Sequence, residues 1–407
     1  MRIVASRPDP ALVSLPWGKP LEEWQEYVVP VPRGLSRHVV RVIQLGRSFY
    51  AVKETPEEMA FAEYRLLREL QRLGQPSVLP QAVVADRPDE LPGALVTRHL
   101  PFALPYRTVF CGTLDPETLA RIVDAMVVLL VRLHLVRFYW GDVSLSNVLF
   151  RRNAGEFAAY LVDAETGEFR PELTDQMREW DLEVGCENVF AELLDLEASG
   201  EVAGCAQPER VVEMLRQQYH SLWTALTGAE KFSLDEMWRI EERIERLNDL
   251  GFDVDELDIV TEGNTVRISP RVVEAGHHAR ELDELTGLQV EDNQARRLLN
   301  DLAAFTAFYR LGDVDRQLVA HRWLTEIFEP IAQLMPPDQR GKLEPAEFFH
   351  EVLVHRWYLS ERAGHEIKLF DVARDYVATQ LGAKPEERIP PPDAGTSAGD
   401  DVLPVKR

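Results

Sequence analysis

Asp142 stands five residues before Asn147, and Asp163 stands 16 residues after it. Between Asn147 and Asp163 lie two short β-type runs, NVLF and AAYLVD. The segment joining them, RRNAGEF, carries the turn residues Asn153, Ala154 and Gly155. If 148–151 pairs with 157–162 as a hairpin, its entry and exit lie side by side, since antiparallel neighbours are about 5 Å apart. Asn147 and Asp163 then converge on one point, with Asp142 on the loop just before it. An amide oxygen and a carboxylate at strand ends suit a hard cation. Magnesium takes one or two carboxylates from a protein and leaves room for phosphates.

A second set lies upstream. In SFYAVK, Lys53 shares a strand face with Phe49 and Ala51. In the helix that follows, Met59, Leu66, Leu67 and Leu70 stand at −4, +3, +4 and +7 from Glu63. Glu63 therefore sits on the apolar stripe, where an ionised carboxylate needs a partner, and Lys53 is the obvious one. Between residues 27 and 52 the charged side chains are Arg33, Arg37, Arg41 and Arg47, with no acid. A cationic hairpin containing Gly34 and leading into Lys53 suits phosphates.

The elements needed to position these residues can be read along the chain. Residues 1–24, rich in proline and tryptophan, read as an irregular lead-in. YVVPV is a short strand, PRGLS a turn, and HVVRVIQL with SFYAVK a hairpin turning at Gly46–Arg47. Thr55–Pro56 reads as an N-cap and first helical position, and Gly74 as the end of that helix. SVLPQAVVA and GALVTRHL are further apolar runs. Leu119–Leu135 is apolar almost all round, as a buried helix is. From about residue 173 the chain reads as mostly helical and acidic, apart from a hairpin in DIVTEGNTVRI that turns at Gly263–Asn264. The tail from about Pro390 is polar and proline-rich, the composition of disorder.

Composition narrows the function. The 407 residues carry 45 basic and 68 acidic side chains, a net charge of −23. Residues 1–150 hold 17 basic and 16 acidic, or +1, which leaves 28 and 52, or −24, for the rest. The acidic part argues against nucleic-acid binding, which needs a cationic face. The longest clean apolar run, Ala125–Val131, is far short of the roughly 20 residues of a membrane span. The first residues, MRIVASRPDP, lack the apolar stretch of a secretory signal. Cys111, Cys186 and Cys205 are odd in number and show no CxxC spacing, which argues against a disulfide framework or a zinc site. Each reads as a small buried apolar side chain. A soluble, cytoplasmic protein is expected.

Taken in chain order, Gly34, Lys53, Glu63, Asp142–Asn147 and Asp163 resemble the protein-kinase-like fold. Its parts are a glycine-containing loop, a strand lysine paired to a helix glutamate, a D-x-x-x-x-N loop and a metal-binding aspartate. The resemblance implies that Lys53 binds the α/β-phosphates of ATP and is held by Glu63. It implies that Asp142 accepts the proton of an attacking hydroxyl, and that Asn147 and Asp163 hold Mg2+. Gly34 would cover the phosphates, and ALVTRHLPF would be the hinge for the adenine ring. The short strand–helix–strand opening and the glycine before Asp142 are similar to the lipopolysaccharide kinase (Kdo/WaaP)-like group. Residues 230–382, with LNDLGFDVDEL, VVEAGHHARELDELTGL and NQARRLLNDLAAF, resemble the domain of unknown function 4032.

The expected fold is thus α+β. A bilobal protein-kinase-like domain at 25–225 follows the lead-in (1–24). A mainly α-helical C-terminal domain (226–385) and a disordered tail (386–407) complete the chain. Departures from the kinase pattern are visible. Tyr-Trp-Gly precedes Asp142 where protein kinases have His-Arg, so no arginine is placed there to sense a phosphorylated activation loop. Asp163-Ala164-Glu165 stands in place of Asp-Phe-Gly, and one glycine stands in place of three. Glu165 is either an added metal ligand or a cap for the next turn. Asp181 in REWDLEVG takes the part of a helix aspartate that braces the catalytic loop.

Other signals read as structure. His134 is a satisfied buried histidine. His277 and His278 are adjacent and cannot both face one metal from a helix. His350 and His355, at i and i+5, are about 140° apart on a helix, not the i, i+4 pair that zinc requires. Trp357 and Tyr358 read as core. Two functions remain. One is an ATP- and Mg2+-dependent phosphotransferase acting on a hydroxyl of an unidentified acceptor, by analogy a sugar or glycolipid precursor. The other is a pseudokinase-like nucleotide-binding scaffold that recruits a protein partner through the acidic C-terminal half. Nucleotidyl transfer to a protein is a minor third.

Overall fold

The computed structural model describes every residue except 7–8, 30–37, 47, 112–113, 201–203, 228–229, 234–252, 263–264, 274–275 and 388–407, and between 230 and 273 it describes backbone only. Gly34, Arg33, Arg37, Arg47, the turn at Gly263–Asn264 and the tail from Pro390 lie outside the described residues.

Five strands form the first sheet: β1 (Arg2–Ala5), β2 (Val39–Leu45), β3 (Ser48–Thr55), β4 (Leu79–Ala85) and β5 (Gly93–Arg98). They pair antiparallel in the order β1-β4-β5-β3-β2. Of the expected YVVPV strand, the described part makes an isolated bridge, Val28 to Ile43. Lys53 lies between Val40 of β2 and Leu95 of β5. Helix α1 (Glu57–Arg72) packs Ala60, Tyr64, Leu67 and Leu70 on the face that carries Val83 and Leu95. Thr55 is not its cap; it ends β3 and is buried, and Pro56 takes the cap position with no side-chain hydrogen bond.

The lead-in is not irregular. It opens with β1, and Leu12, Leu15, Trp17, Leu21 and Trp24 bury against Tyr50, Val52, Ala82, Val84, Ala94 and Val96 on the other face of the sheet. Arg87 pins it there. Its guanidinium donates to the Trp17 carbonyl (3.0 Å), the Lys19 carbonyl (2.7 Å) and Glu54 (2.6 Å). The signal was present in QAVVA and GALV. Strands that are continuously apolar, not alternating, are covered on both faces.

A helical lobe follows. It comprises α2 (Tyr106–Phe110), α3 (Pro116–Leu135), α4 (Asp175–Ala198) and α5 (Pro208–Thr227). Helix α3 is buried nearly all round, and its Asp115 N-cap accepts from the Glu117 and Thr118 N–H groups. Between α3 and α4 lie β7 (Phe138–Tyr139), β8 (Val148–Asn153), β9 (Glu156–Leu161) and β10 (Glu168–Phe169), and β6 (Ala103–Pro105) adds to β8. The β8–β9 hairpin forms in register, Val148 with Leu161 and Asn153 with Glu156, with left-handed Ala154 and Gly155 at its turn.

The C-terminal region opens with three strands, β11 (Glu230–Ser233), β12 (Asp253–Glu262) and β13 (Thr265–Val273), in the order β11-β13-β12. It continues as helices α6 (His277–Thr286), α7 (Asp292–Phe308), α8 (Arg316–Trp323), α9 (Glu329–Ala332), α10 (Pro345–Ala363) and α11 (Leu369–Thr379). They share a core of their own that includes Leu298, Trp323, Phe348, Phe349 and Tyr376. Trp357 and Tyr358 are not in it. Trp357 is 60% exposed and Tyr358 55%, because Phe348, Phe349 and Val352 already hold the inward face of α10. Of the cysteines, only Cys186 is buried; Cys111 and Cys205 are half-buried.

A seam of buried charge joins this region to the β8–β9 hairpin. Arg151 lies between Glu291 (2.8 Å) and Glu344 (2.6 Å), and Arg152 pairs with Glu387. The Ala154 N–H donates to Glu347 (2.8 Å), and Tyr160 donates to Glu291 (2.6 Å). No helix among the described residues is long and apolar enough to cross a membrane.

Candidate active site

Lys53 leaves the end of β3 and meets three carboxylates. Its Nζ is 2.9 Å from Glu63, 2.8 Å from Asp163 and 2.9 Å from Glu165. Glu63 is 1% exposed, on the inward stripe of α1, and also accepts from the Ala164 N–H at 3.3 Å. Lys53 and Glu63 therefore tie β3, α1 and the segment after β9 together. Glu165 also meets His38 Nε2 at 2.9 Å, and the Glu165 N–H donates to Asp163 (3.0 Å).

Three carboxylates against one ammonium leave the cluster with a formal charge of −2. Burial, and then the Asp163 charge, push the Glu63 pKa up to about 7, against the pull of Lys53 and the Ala164 N–H. Burial pulls Lys53 the other way, but the charges of Glu63 and Asp163 and hydrogen bonds to Asp163 and Glu165 outweigh it and raise its pKa. Oxygens of Glu63, Asp163 and Glu165 lie within 4.8 Å of one another. Hard carboxylate oxygens in excess over one ammonium fit a divalent cation such as magnesium.

Asp142 sits on a loop with three supports. Trp140 is fully buried before it. Gly141 has φ +78°, and a Cβ there would stand 3.0 Å from the Thr166 carbonyl, so glycine is required. Asn147 Nδ2 donates to the Asp142 carbonyl (3.1 Å) and reaches its carboxylate at 3.4 Å. The Val162 N–H donates to the Asn147 carbonyl (3.0 Å), so Asn147 and Asp163 leave the hairpin base almost side by side.

The third support is one face of α4. Asp181, wholly buried, accepts from the Trp140 and Gly141 N–H groups at 2.8 Å each and meets His134 Nε2 at 3.1 Å. A Cβ on Gly185 would stand 2.7 Å from Val143 Cγ1, so the loop packs directly on the helix backbone. Asn188 donates to the Asp142 carboxylate (3.2 Å) and the Val143 carbonyl (3.0 Å). Glu192 accepts from the Leu145 (2.7 Å) and Ser146 (2.9 Å) N–H groups. Asn188 and Glu192 were missed from sequence. The signal was their spacing: 181, 185, 188 and 192 recur at i, i+4, i+7 and i+11, a polar and small stripe on one helix face.

The remaining residues fall as follows. His99, after β5, is half-buried, and desolvation pushes its pKa down to about 4. His134 is satisfied by Tyr219 (2.7 Å) and Asp181, and burial lowers its pKa. His278 pairs with Asp292, and His355 with Asp375.

The chain is thus an α+β protein, a two-lobed sheet-and-helix half followed by a mainly helical region. Residues 221–381 match the family model of a domain of unknown function (DUF4032), in line with the resemblance read over 230–382. No curated protein matches the sequence. Two solved structures are similar at low overall agreement. One is WaaP in complex with acyl carrier protein, at 17% identity over 61% of this chain and 99% of that one, TM-score 0.36. The other is an aminoglycoside-3'-phosphotransferase of type VIII, at 15% identity over 48% and 86%, TM-score 0.36.

Proposed function

We propose that this chain is an ATP- and magnesium-dependent phosphotransferase that moves the γ-phosphate to an acceptor hydroxyl, with sugars and glycolipid precursors the class to try first. The observation that carries the reading is Lys53 within 2.9 Å of both Glu63 and Asp163, beside a braced Asp142–Asn147 loop. Lys53 would hold the α/β-phosphates, and Glu63 would keep its ammonium charged and aimed. Asp163 and Asn147 would hold magnesium, with Glu165 in reach; the ion supplies charge neutralisation of the phosphates. Asp142, oriented by Asn147 and Asn188, would take the proton of the acceptor hydroxyl.

A second reading, a nucleotide-binding scaffold, is favoured by two observations. The Lys53 ammonium already lies within 2.9 Å of three carboxylates, so a phosphate must displace one. Phe308, Leu318, Trp357 and Tyr358 are exposed on the acidic C-terminal region, where a protein partner would dock.

Thermal denaturation with Mg-ATP, with phosphoryl transfer measured alongside, separates the two. Near 100 times Kd, a ligand adds roughly 2.7 kcal/mol to the folded state. Wild type should melt higher with Mg-ATP, and Asp163→Ala should lose that shift. Asp142→Asn should keep the shift and lose transfer by about 10²–10⁴-fold. A shift without transfer supports the scaffold. No shift in wild type removes the nucleotide site altogether.

A further inference from the structure

A half-open cavity of about 630 Å³ lies away from Lys53, between α3, the outer side of β9 and the start of α7. Arg132 of α3 lines it. The Nε of Arg132 is closed off from water and makes no hydrogen bond. Burial pulls its pKa down. Asp124, Glu156, Glu291 and Asp292 also line the cavity, and none of them makes an ion pair with Arg132. Glu291 holds Arg151 and Tyr160, and Asp292 holds His278 and the Ala279 N–H.

Arg132 differs in this from the other deep arginines. Arg87, Arg151 and Arg178 each have a carboxylate within hydrogen-bond distance. Arg132 has no ion pair among the described residues. Glu291 and Asp292 favour its charge only from a distance, and a partly buried guanidinium without a direct partner is stabilised by an anion. Arg121, Arg296 and Arg297 line the same cavity, while Val128, Leu129 and Phe157 make part of its wall apolar. The volume is in the range that holds a small metabolite.

We propose that this cavity binds a small molecule through an oxyanion group, phosphate or carboxylate, on the guanidinium of Arg132. A planar guanidinium matches either group with two parallel hydrogen bonds. The site would stand on the seam between the two-lobed half and the C-terminal region, and neither half would form it alone.

The test uses the full chain and two probes, inorganic phosphate and citrate, each against chloride at equal ionic strength. Wild type should melt a few degrees higher in at least one probe. A response to phosphate alone or to citrate alone identifies the oxyanion. Arg132→Met should lose the response and melt no lower than wild type in chloride, since it removes an unpaired cation. Arg132→Lys keeps the charge without the fork and should respond more weakly. Asp163→Ala should respond as wild type does, which separates this site from the nucleotide site. An equal shift in Arg132→Met would show general salt exclusion from the surface and overturn the proposal. So would a wild type that responds to neither probe.

Discussion

Glu63 holds Lys53 and the Ala164 backbone at once, and its charge is the least secure in the cluster. Its pKa stands near 7, above the ordinary carboxylate range near 4.3, so the folded state takes up a proton over that interval. The stability it contributes is complete below about pH 4.3 and is lost as pH rises through about 7. Thermal denaturation from acid to mildly alkaline pH, without divalent metal, should therefore show Glu63→Gln gaining on wild type as pH rises. A constant difference between the two would contradict a raised pKa. Magnesium held at Asp163 would add positive charge beside Glu63 and favour its ionised form, so magnesium should stabilise wild type more above pH 7 than below it. The pairing of Lys53 with Glu63 was legible in sequence, because an acid on an apolar stripe needs a cation. The contacts of Glu165 with Lys53 and His38 were not legible, since position 165 offered a metal ligand and a turn cap equally.

Helix α4 shows how an element sets a loop. Its stripe at 181, 185, 188 and 192 holds the Asp142 loop through backbone N–H groups, a bare Cα and a side-chain amide. Asp181→Ala would leave the Trp140 and Gly141 N–H groups without their acceptor and should cost about 2–5 kcal/mol in urea denaturation. Gly185→Ala drives a methyl into Val143 and should cost about 1–3 kcal/mol. Both should lower phosphoryl transfer more than they lower Mg-ATP binding, because Lys53 and Asp163 are held by other elements. Equal losses in transfer and binding would contradict this division of labour. The β8–β9 hairpin was readable in advance because strand period and turn residues are local signals. Thr55 was misread by one position because Pro56 fits either end of a cap. The lead-in was misread because its strand pairs with β4, some 80 residues on. No local pattern announces such a partner.

At the scale of the whole molecule, the hairpin whose base carries Asn147 and Asp163 has its tip in the C-terminal region. Arg151→Met would leave Glu291 and Glu344 facing each other without their cation, a loss of about 3–5 kcal/mol. Hydrogen exchange at Ala154 and Gly155 should then quicken, and Mg-ATP should bind more weakly although no site residue has changed. Unchanged exchange there would show that the seam does not hold the hairpin. None of these pairings could be read from spacing, since Arg152 and Glu387 are 235 residues apart. Separate hydrophobic cores suggest two modules, yet this ladder of charges makes the hairpin common property. Chimeras follow a different rule as a result. A C-terminal half taken from a relative should serve this two-lobed half only if it brings acids to positions 291, 344, 347 and 387, so the two halves are expected to be inherited, and to change, as a matched pair.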